Sequence, residues 1–425
     1  METALELPTE SSRTHLNEII TSILDTNDFN LNISMGSSVG DNYIGVVYRV
    51  KATKNDRNDS KDGKSGNLSV IVKLPPQNAA RREQFFVGPC FVREIWIYDE
   101  LLPLFQQFQK GKGIDTTVDG FFEFAKCYRT VGTEMDEALF FEDLKTSGFE
   151  MHNRLEDISI EHVQLVMQGL GKFHALSFAL RDQQPEKFDS FKSLTEIFMN
   201  RQDDQNFTTY MKTLTERARA TLSPDTHAGL IEKFTSLFEG KELSVMLDLL
   251  NGSLSEPYAV VCHGDCWNNN LLFKYDSNGK PNGIRFLDWQ IARYASPACD
   301  ISHYLFCCTT KKLRDQHYES LLKIYYKSFS DLLNRLGSDA EKLFSFEALL
   351  NEMKKNGRYG ILIAMVLLPL ITSVADDIPD LDEVSEKIRR GDKLDAKLFI
   401  FEKTEDVYNT KMRDIILDMD RLGYI

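Results

Sequence analysis

The segment from Val260 to Trp289 constrains this chain more than any other. It reads Val-Val-Cys-His-Gly-Asp-Cys-Trp-Asn-Asn-Asn-Leu-Leu-Phe, then a turn region, then Ile-Arg-Phe-Leu-Asp-Trp. Two apolar runs, Asn270–Phe273 and Ile284–Leu287, flank the dipeptides Asn278-Gly279 and Asn282-Gly283. Asn-Gly between apolar runs predicts a β-hairpin, because both residues accept the positive φ that a tight hairpin turn requires. A hairpin brings its entrance and exit together. Asn270 and Asp288 would then share one metal-sized space, with Asp265 aimed at it from the preceding loop. A plain hairpin carrying surface Asp and Asn residues has the same spacing, so the surrounding chain must decide between the two.

At 425 residues the chain can form two or three domains, or two lobes around a cleft. With 42% apolar and 27% charged residues it has a globular composition. A net charge of -14 leaves no broad basic face, so no nucleic-acid partner is expected. An anion such as ATP would need a local cation or metal. Seven cysteines, an odd number in a long chain, do not suggest a disulfide framework and point to a reducing, cytoplasmic setting. Cys262, His263 and Cys266 lack a second ligand pair at zinc spacing. The amino terminus has neither basic region nor apolar run, so no signal peptide is expected. The longest apolar run, Tyr359 to Thr372, contains Pro369 and falls short of the ~20 residues that span a bilayer. It predicts a buried helix.

In chain order, His15–Asp25 has helical apolar spacing and predicts an extension, within residues 1–29, that packs on a first lobe. Glycines 36, 40 and 45 punctuate a strand-turn-strand pattern, where backbone N–H groups can approach a phosphate because no Cβ intervenes. A glycine-bearing hairpin without function fits equally well. The strand Leu68–Leu74 carries Lys73 near its end, either a phosphate-binding amine or a lysine that snorkels outward. A helix over Gln84–Leu102 sets Glu94 one step from an apolar stripe, where it could hold the Lys73 ammonium or merely be solvated. Strands at Phe121–Thr130 and Ala138–Glu142 would complete a five-stranded sheet, with Glu142-Asp143-Leu144 as a hinge whose backbone meets a nucleobase. The helix Ser159–Leu180 would lie beneath the loop, with His174 as a core histidine. Residues 186–255 read as helical and rich in aromatics. Asp300 fits a helix N-cap that braces the loop.

The order is more telling than any one signal: glycine turn, strand lysine, helix glutamate, hinge, Asp265, Asn270 five residues on, then Asp288. The loop His263-Gly-Asp-Cys-Trp-Asn-Asn-Asn270 with Asp288-Trp-Gln290 resembles the ecdysteroid kinase-like (CHK-kinase-like) family, which is similar to aminoglycoside phosphotransferases and choline kinases. Asn42-Tyr43, Phe91-Val-Arg-Glu94, Glu142-Asp143-Leu144 and Phe173-His-Ala-Leu-Ser177 add to the resemblance, which spans about residues 30 to 400. Gly45 stands where the family often has a serine, and Asp-Trp-Gln replaces the Asp-Phe-Gly of protein kinases.

The resemblance implies an α+β, bilobal protein-kinase-like fold. Residues 30–144 would be a small antiparallel-sheet N-lobe with one main helix. Residues 145–425 would be a mostly helical C-lobe, with the catalytic loop at 262–290 and acceptor-site helices within 186–255. It implies ATP and Mg²⁺ as cofactors. Gly36, Ser37, Ser38, Gly40, Lys73, Glu94 and Glu142 would contact nucleotide, Asn270 and Asp288 would hold the metal, and Asp265 would take the acceptor proton. The expected acceptor is a small alcohol of steroid-like or other apolar character, and a monomer or weak dimer is expected. A protein substrate is disfavoured by the eight residues between Asp288 and Pro297. A catalytically silent relative that binds a hydrophobic ligand or nucleotide is the alternative. Such a relic need not keep all of Lys73, Glu94, Asp265, Asn270 and Asp288.

Overall fold

The structure is a computed structural model that describes residues 5–37, 44–55, 66–201, 203–374, 377, 379–392 and 401–425. The N-lobe is a five-stranded antiparallel sheet of β1 (Phe29–Met35), β2 (Val46–Lys54), β3 (Asn67–Leu74), β4 (Cys127–Val131) and β5 (Ala138–Glu142), in the order β1-β2-β3-β5-β4. Alternation along β3 divides its side chains between two faces. Val70, Val72 and Leu74 are buried in the cluster formed with Leu16, Ile20 and Leu24 of the helix Glu10–Leu24. Ile71 and Lys73 face the opposite way, into a cleft. The N-terminal helix therefore seals the outer face of the sheet. It begins earlier than apolar spacing predicts because Thr9 caps it, accepting the Ser12 N–H.

The single helix expected over Gln84–Leu102 is three pieces. A short helix, Ala79–Gln84, ends at Phe85, and Phe86 adopts a left-handed conformation before the helix Val87–Trp96 begins. A π-type turn at Ile97–Leu101 then leads into the helix Leu102–Gly111. That turn falls directly before Pro103, which has no N–H to give to an α-helical ladder. The strand expected from Phe121 begins only at Cys127. Phe121–Lys126 instead runs to the C-lobe, where Phe124 bridges Phe286 and the Phe286 N–H reaches the Glu123 carbonyl.

The C-lobe is mainly helical. Its long helix, Ile160–Gln183, packs along Lys311–Arg335. Gly171 permits the contact, since a Cβ there would lie 2.5 Å from the Tyr325 carbonyl oxygen. Helix Pro297–Cys308 lies against Tyr359–Thr372, which is buried over most of its length as its composition predicts. No helix among the described residues is long and apolar enough to cross a membrane. Two small sheets carry the loop-and-hairpin unit. One joins β6 (Phe149–Met151), β8 (Leu271–Tyr275) and β9 (Pro281–Phe286), and the other pairs β7 (Val260–Cys262) with β10 (Arg293–Ala295). The hairpin turn uses Asn278-Gly279, with Gly279 at φ 75° and Asp276 accepting two backbone N–H groups. Asn282 and Gly283 lie inside β9 and take no part in it.

Candidate active site

The loop after β7 is held from below. The Asp300 carboxylate accepts the backbone N–H groups of His263 at 2.6 Å and Gly264 at 2.9 Å. His174, hydrogen-bonded to Tyr325 at 2.8 Å, supports the same carboxylate at 3.2 Å. Burial opposes ionisation of Asp300, yet His174, His263 and the Gly264 amide hold its carboxyl at about 2. Asp300 is not the N-cap that its position suggests. Helix Pro297–Cys308 starts earlier, and Ser296 caps it by accepting the Ala298 N–H. This depression implies a stabilising contribution that is complete above the usual aspartate range and lost as pH falls toward 2. It amounts to on the order of 2 kcal/mol. Acid titration of stability should show a shallower acid limb in Asp300→Asn than in the wild type. Identical limbs would deny Asp300 this role.

Gly264 has φ 87°, and a Cβ would stand 2.1 Å from the Ile291 carbonyl oxygen, so only glycine fits. Its own carbonyl accepts a 2.6 Å hydrogen bond from Arg293 Nη2. Arg293 is 1% exposed, pairs with Glu196 at 2.7 Å and bonds the Tyr359 hydroxyl at 3.2 Å. Burial alone would lower this guanidinium, but Glu196 and then Tyr359 raise it. Arg293→Met would leave Glu196 buried without its cation and should cost about 3–5 kcal/mol of stability. Adding Glu196→Leu should recover much of that in denaturant unfolding. No recovery would mean that Arg293 acts through the loop backbone alone.

His263 fastens the loop to the hairpin exit. Its Nε2 bonds the Leu287 carbonyl at 3.0 Å and its Nδ1 accepts the Asp265 N–H at 3.2 Å. Burial lowers its basicity, which suits a neutral imidazole used as a brace. Its ring packs 4.5 Å from that of Trp289.

Around this frame the predicted residues converge. Asn270, in a tight turn at Asn268–Asn270, donates its amide N–H₂ to the Asp265 carboxylate at 2.8 Å and to the Asp265 carbonyl at 2.9 Å. Burial and then the Asp288 charge push the Asp265 carboxyl up to about 7, against the pull of Asn270 and Trp267. Asp288 adopts a left-handed φ of 64° at the hairpin exit and accepts the Lys73 ammonium at 2.7 Å. The same ammonium reaches Glu94 at 2.6 Å, and Glu94 also accepts the Trp289 N–H at 3.3 Å. Glu94 therefore grips both Lys73 and the backbone beside Asp288. Burial would lower the Lys73 ammonium, but Asp288 and Glu94 raise it. Gly45 lets the lysine stem pass, since a Cβ there would sit 3.0 Å from Lys73 Cε.

Two concavities meet here. A cleft of ≈ 620 Å³ under the sheet is bordered by Gly36, Ser37, Lys73, Glu94 and Glu142. A cavity of ≈ 250 Å³ lies between the Phe85–Phe86 break and the C-lobe, with Phe207, Trp267, Leu370 and Val384 in its wall. Asn270 and Asp288 border both, whereas Asp265 borders only the cavity. The donor set of an amide oxygen and a carboxylate suits a hard divalent cation. Asn270 spends its amide nitrogen on Asp265, which turns its oxygen to that use.

Not every expectation lands as written. Ser38 and Gly40, like Asn42 and Tyr43, lie outside the described residues. The Gly36 N–H is bonded to the Val47 carbonyl at 2.7 Å, which fixes Gly36 at the sheet edge beside the cleft. The Glu142 carboxylate accepts the Lys126 N–H at 2.8 Å and its own N–H goes to the Lys126 carbonyl, which ties the hinge to the strand approach. Asp143 is buried and clamped by Arg49 at 2.9 Å and Ser69 at 2.8 Å. Of residues 186–255, Ile197, Arg201, Phe207 and Tyr210 border the cavity. Helices Tyr359–Thr372 and Leu381–Arg389 supply six more wall residues, none of which carries a functional signal in the sequence. Arg293 was also missed, although a lone arginine in Ile-Ala-Arg-Tyr-Ala, just past Asp288, is a readable sign of a buried partner.

A sheet lobe over a helical lobe, with a strand lysine, helix glutamate and paired loop acids at the junction, is the protein-kinase-like fold. Residues 39–338 match the ecdysteroid kinase-like family, and the chain belongs to that family. No curated protein matches the sequence. Among solved structures, it is similar to the GDP complex of wild-type aminoglycoside 2'-phosphotransferase-IIIa, at 10% identity and TM-score 0.40, over 95% of this chain and 98% of that one. It is also similar to the GDP and kanamycin complex of APH(2")-IIIa, at 10% identity and TM-score 0.37, over 96% and 98%.

Proposed function

We propose that the protein is an ATP- and Mg²⁺-dependent phosphotransferase that moves a γ-phosphoryl group to a hydroxyl of a small apolar alcohol, of steroid-like character, in the cytoplasm. The observation that carries this reading is the shared border. Asn270 and Asp288 stand where the cleft that holds Lys73 and Glu94 meets an apolar cavity, and Asp265 stands on the cavity side. Transfer needs the donor and acceptor oxygens in line across one point, with charge neutralised there.

Lys73, oriented by Glu94, would contact the nucleotide phosphates from the cleft. Asn270 and Asp288 would hold Mg²⁺, which when bound offsets the charge that builds on the transferring group. Asp265 would orient the acceptor hydroxyl and accept its proton as transfer completes. Its carboxyl is held in place by Asn270, so the proton has a fixed destination. The apolar walls of the cavity support an apolar acceptor and keep water from competing for the phosphoryl group. Incubating the protein with ATP, Mg²⁺ and a panel of hydroxylated steroids, plant glycosides and choline-like alcohols tests the reading. A product heavier by one phosphoryl group is expected. Nucleotide binding with no phosphorylated product from any of them would favour a silent binder.

A further inference from the structure

The cavity that would receive the acceptor holds a polar group that the transfer chemistry leaves unused. Gln290, two residues past Asp288, is 4% exposed and borders the cavity beside Asp265 and Trp267. Its amide oxygen is buried and has no hydrogen-bond partner among the described residues. Three other polar groups on this wall are engaged. Asn270 is bonded to Asp265, Asp288 to Lys73, and Arg201 to Asp204 and the Gln84 carbonyl. A buried acceptor without a donor is costly, and its cost is removed only by a partner that brings one. In a cavity walled by Phe85, Phe86 and Phe207, a ligand hydroxyl can supply that donor.

On the basis of the phosphotransferase reading, we propose that Gln290 is a specificity-determining residue that accepts a hydrogen bond from a second hydroxyl of the acceptor. The preferred substrate is then an apolar molecule with at least two hydroxyls, one directed to Asp265 and one to Gln290. An acceptor without the second hydroxyl leaves the amide oxygen unpaired against an apolar wall. Sites of this kind discriminate strongly, because the mismatch falls on the protein as well as the ligand. A preference of about tenfold or more is expected from one such hydrogen bond.

The test uses the full chain and a panel of monohydroxy and dihydroxy decalins as probes. Affinity is measured by calorimetry, and turnover by ADP release with ATP and Mg²⁺. The best dihydroxy isomer should bind the wild type about tenfold or more tightly than its monohydroxy counterpart. Gln290→Leu and Gln290→Met should each bring that ratio close to one. Thermal melting identifies the folded variant, and either suffices. A ratio that persists in a folded variant overturns the assignment, as does a wild type that prefers none of the dihydroxy isomers. The two readings fail separately. A Gln290-dependent preference without ADP release keeps the hydroxyl site and removes the phosphotransferase. ADP release with an unaltered ratio does the reverse.

Discussion

Asp265→Asn is expected to lower turnover by about 10²–10⁴-fold, the range in which a positioned general base contributes, while ATP affinity changes by no more than a few fold. The split follows from where the side chain stands. Asp265 borders the apolar cavity and not the cleft under the sheet, so its loss would remove the proposed proton acceptor without touching the proposed donor site. Asparagine keeps the shape and can still offer its oxygen to the Asn270 amide, which now meets the carboxylate at 2.8 Å. The loop should survive, because its hold on the fold runs through the His263 and Gly264 backbone to Asp300 and Arg293, not through the Asp265 carboxylate. Single-turnover measurements with saturating ATP check this. Unchanged turnover would remove Asp265 from the chemistry. A parallel collapse of ATP affinity would mean that the substitution disturbs Asn270 and Asp288 as well.

How far the sequence could be read depended on whether the needed signal was local. Asn278-Gly279 between apolar runs announced the hairpin because turn chemistry is written in adjacent residues. The apolar run Leu68–Leu74 announced a strand with Lys73 near its end, and the pleat then puts Lys73 on the face opposite Val70, Val72 and Leu74. The juxtaposition of Asn270 and Asp288 followed from the hairpin alone. What stayed hidden was set by partners far along the chain. Nothing near Glu196 shows that it neutralises Arg293, and nothing near Asp300 shows that its carboxylate gathers two amides of a loop some 36 residues away. Asp300 in a helix's first turn looks like a cap, and tertiary contacts gave it another task while Ser296 took the cap. The break at Phe86 is likewise invisible to a helical period, since a single left-handed residue leaves both flanking segments periodic. That break turns Phe85 and Phe86 into cavity wall, so the least legible feature of the N-lobe is one that shapes the proposed acceptor site. The same holds for the wall from Tyr359–Thr372, whose uniformly apolar sequence cannot distinguish a core-facing side from one that faces a cavity.

Asp288→Asn should abolish the magnesium dependence of nucleotide binding, with Mg²⁺-ATP affinity about 100-fold or more weaker. Removing one member of a buried charge set costs about 2–5 kcal/mol, and each 1.4 kcal/mol is tenfold. Asparagine is the informative substitution because the backbone at this position has a φ of 64°, a region asparagine tolerates and alanine does not. It also keeps an oxygen near the Lys73 ammonium, which in any case retains Glu94 at 2.6 Å. Binding of nucleotide without metal should therefore change little, since the substitution takes negative charge away from the place where phosphates would lie. Glu94→Gln supplies the contrast. Its loss frees Lys73 from the helix and weakens the tie to the Trp289 backbone, so affinity should fall to a similar degree with and without Mg²⁺. Equilibrium binding of ATP at several Mg²⁺ concentrations separates the two patterns. A metal dependence that persists in Asp288→Asn would take Asp288 out of the cation's coordination and leave it as a partner of Lys73. Equal losses with and without the metal would assign it to positioning the ammonium, as Glu94 does.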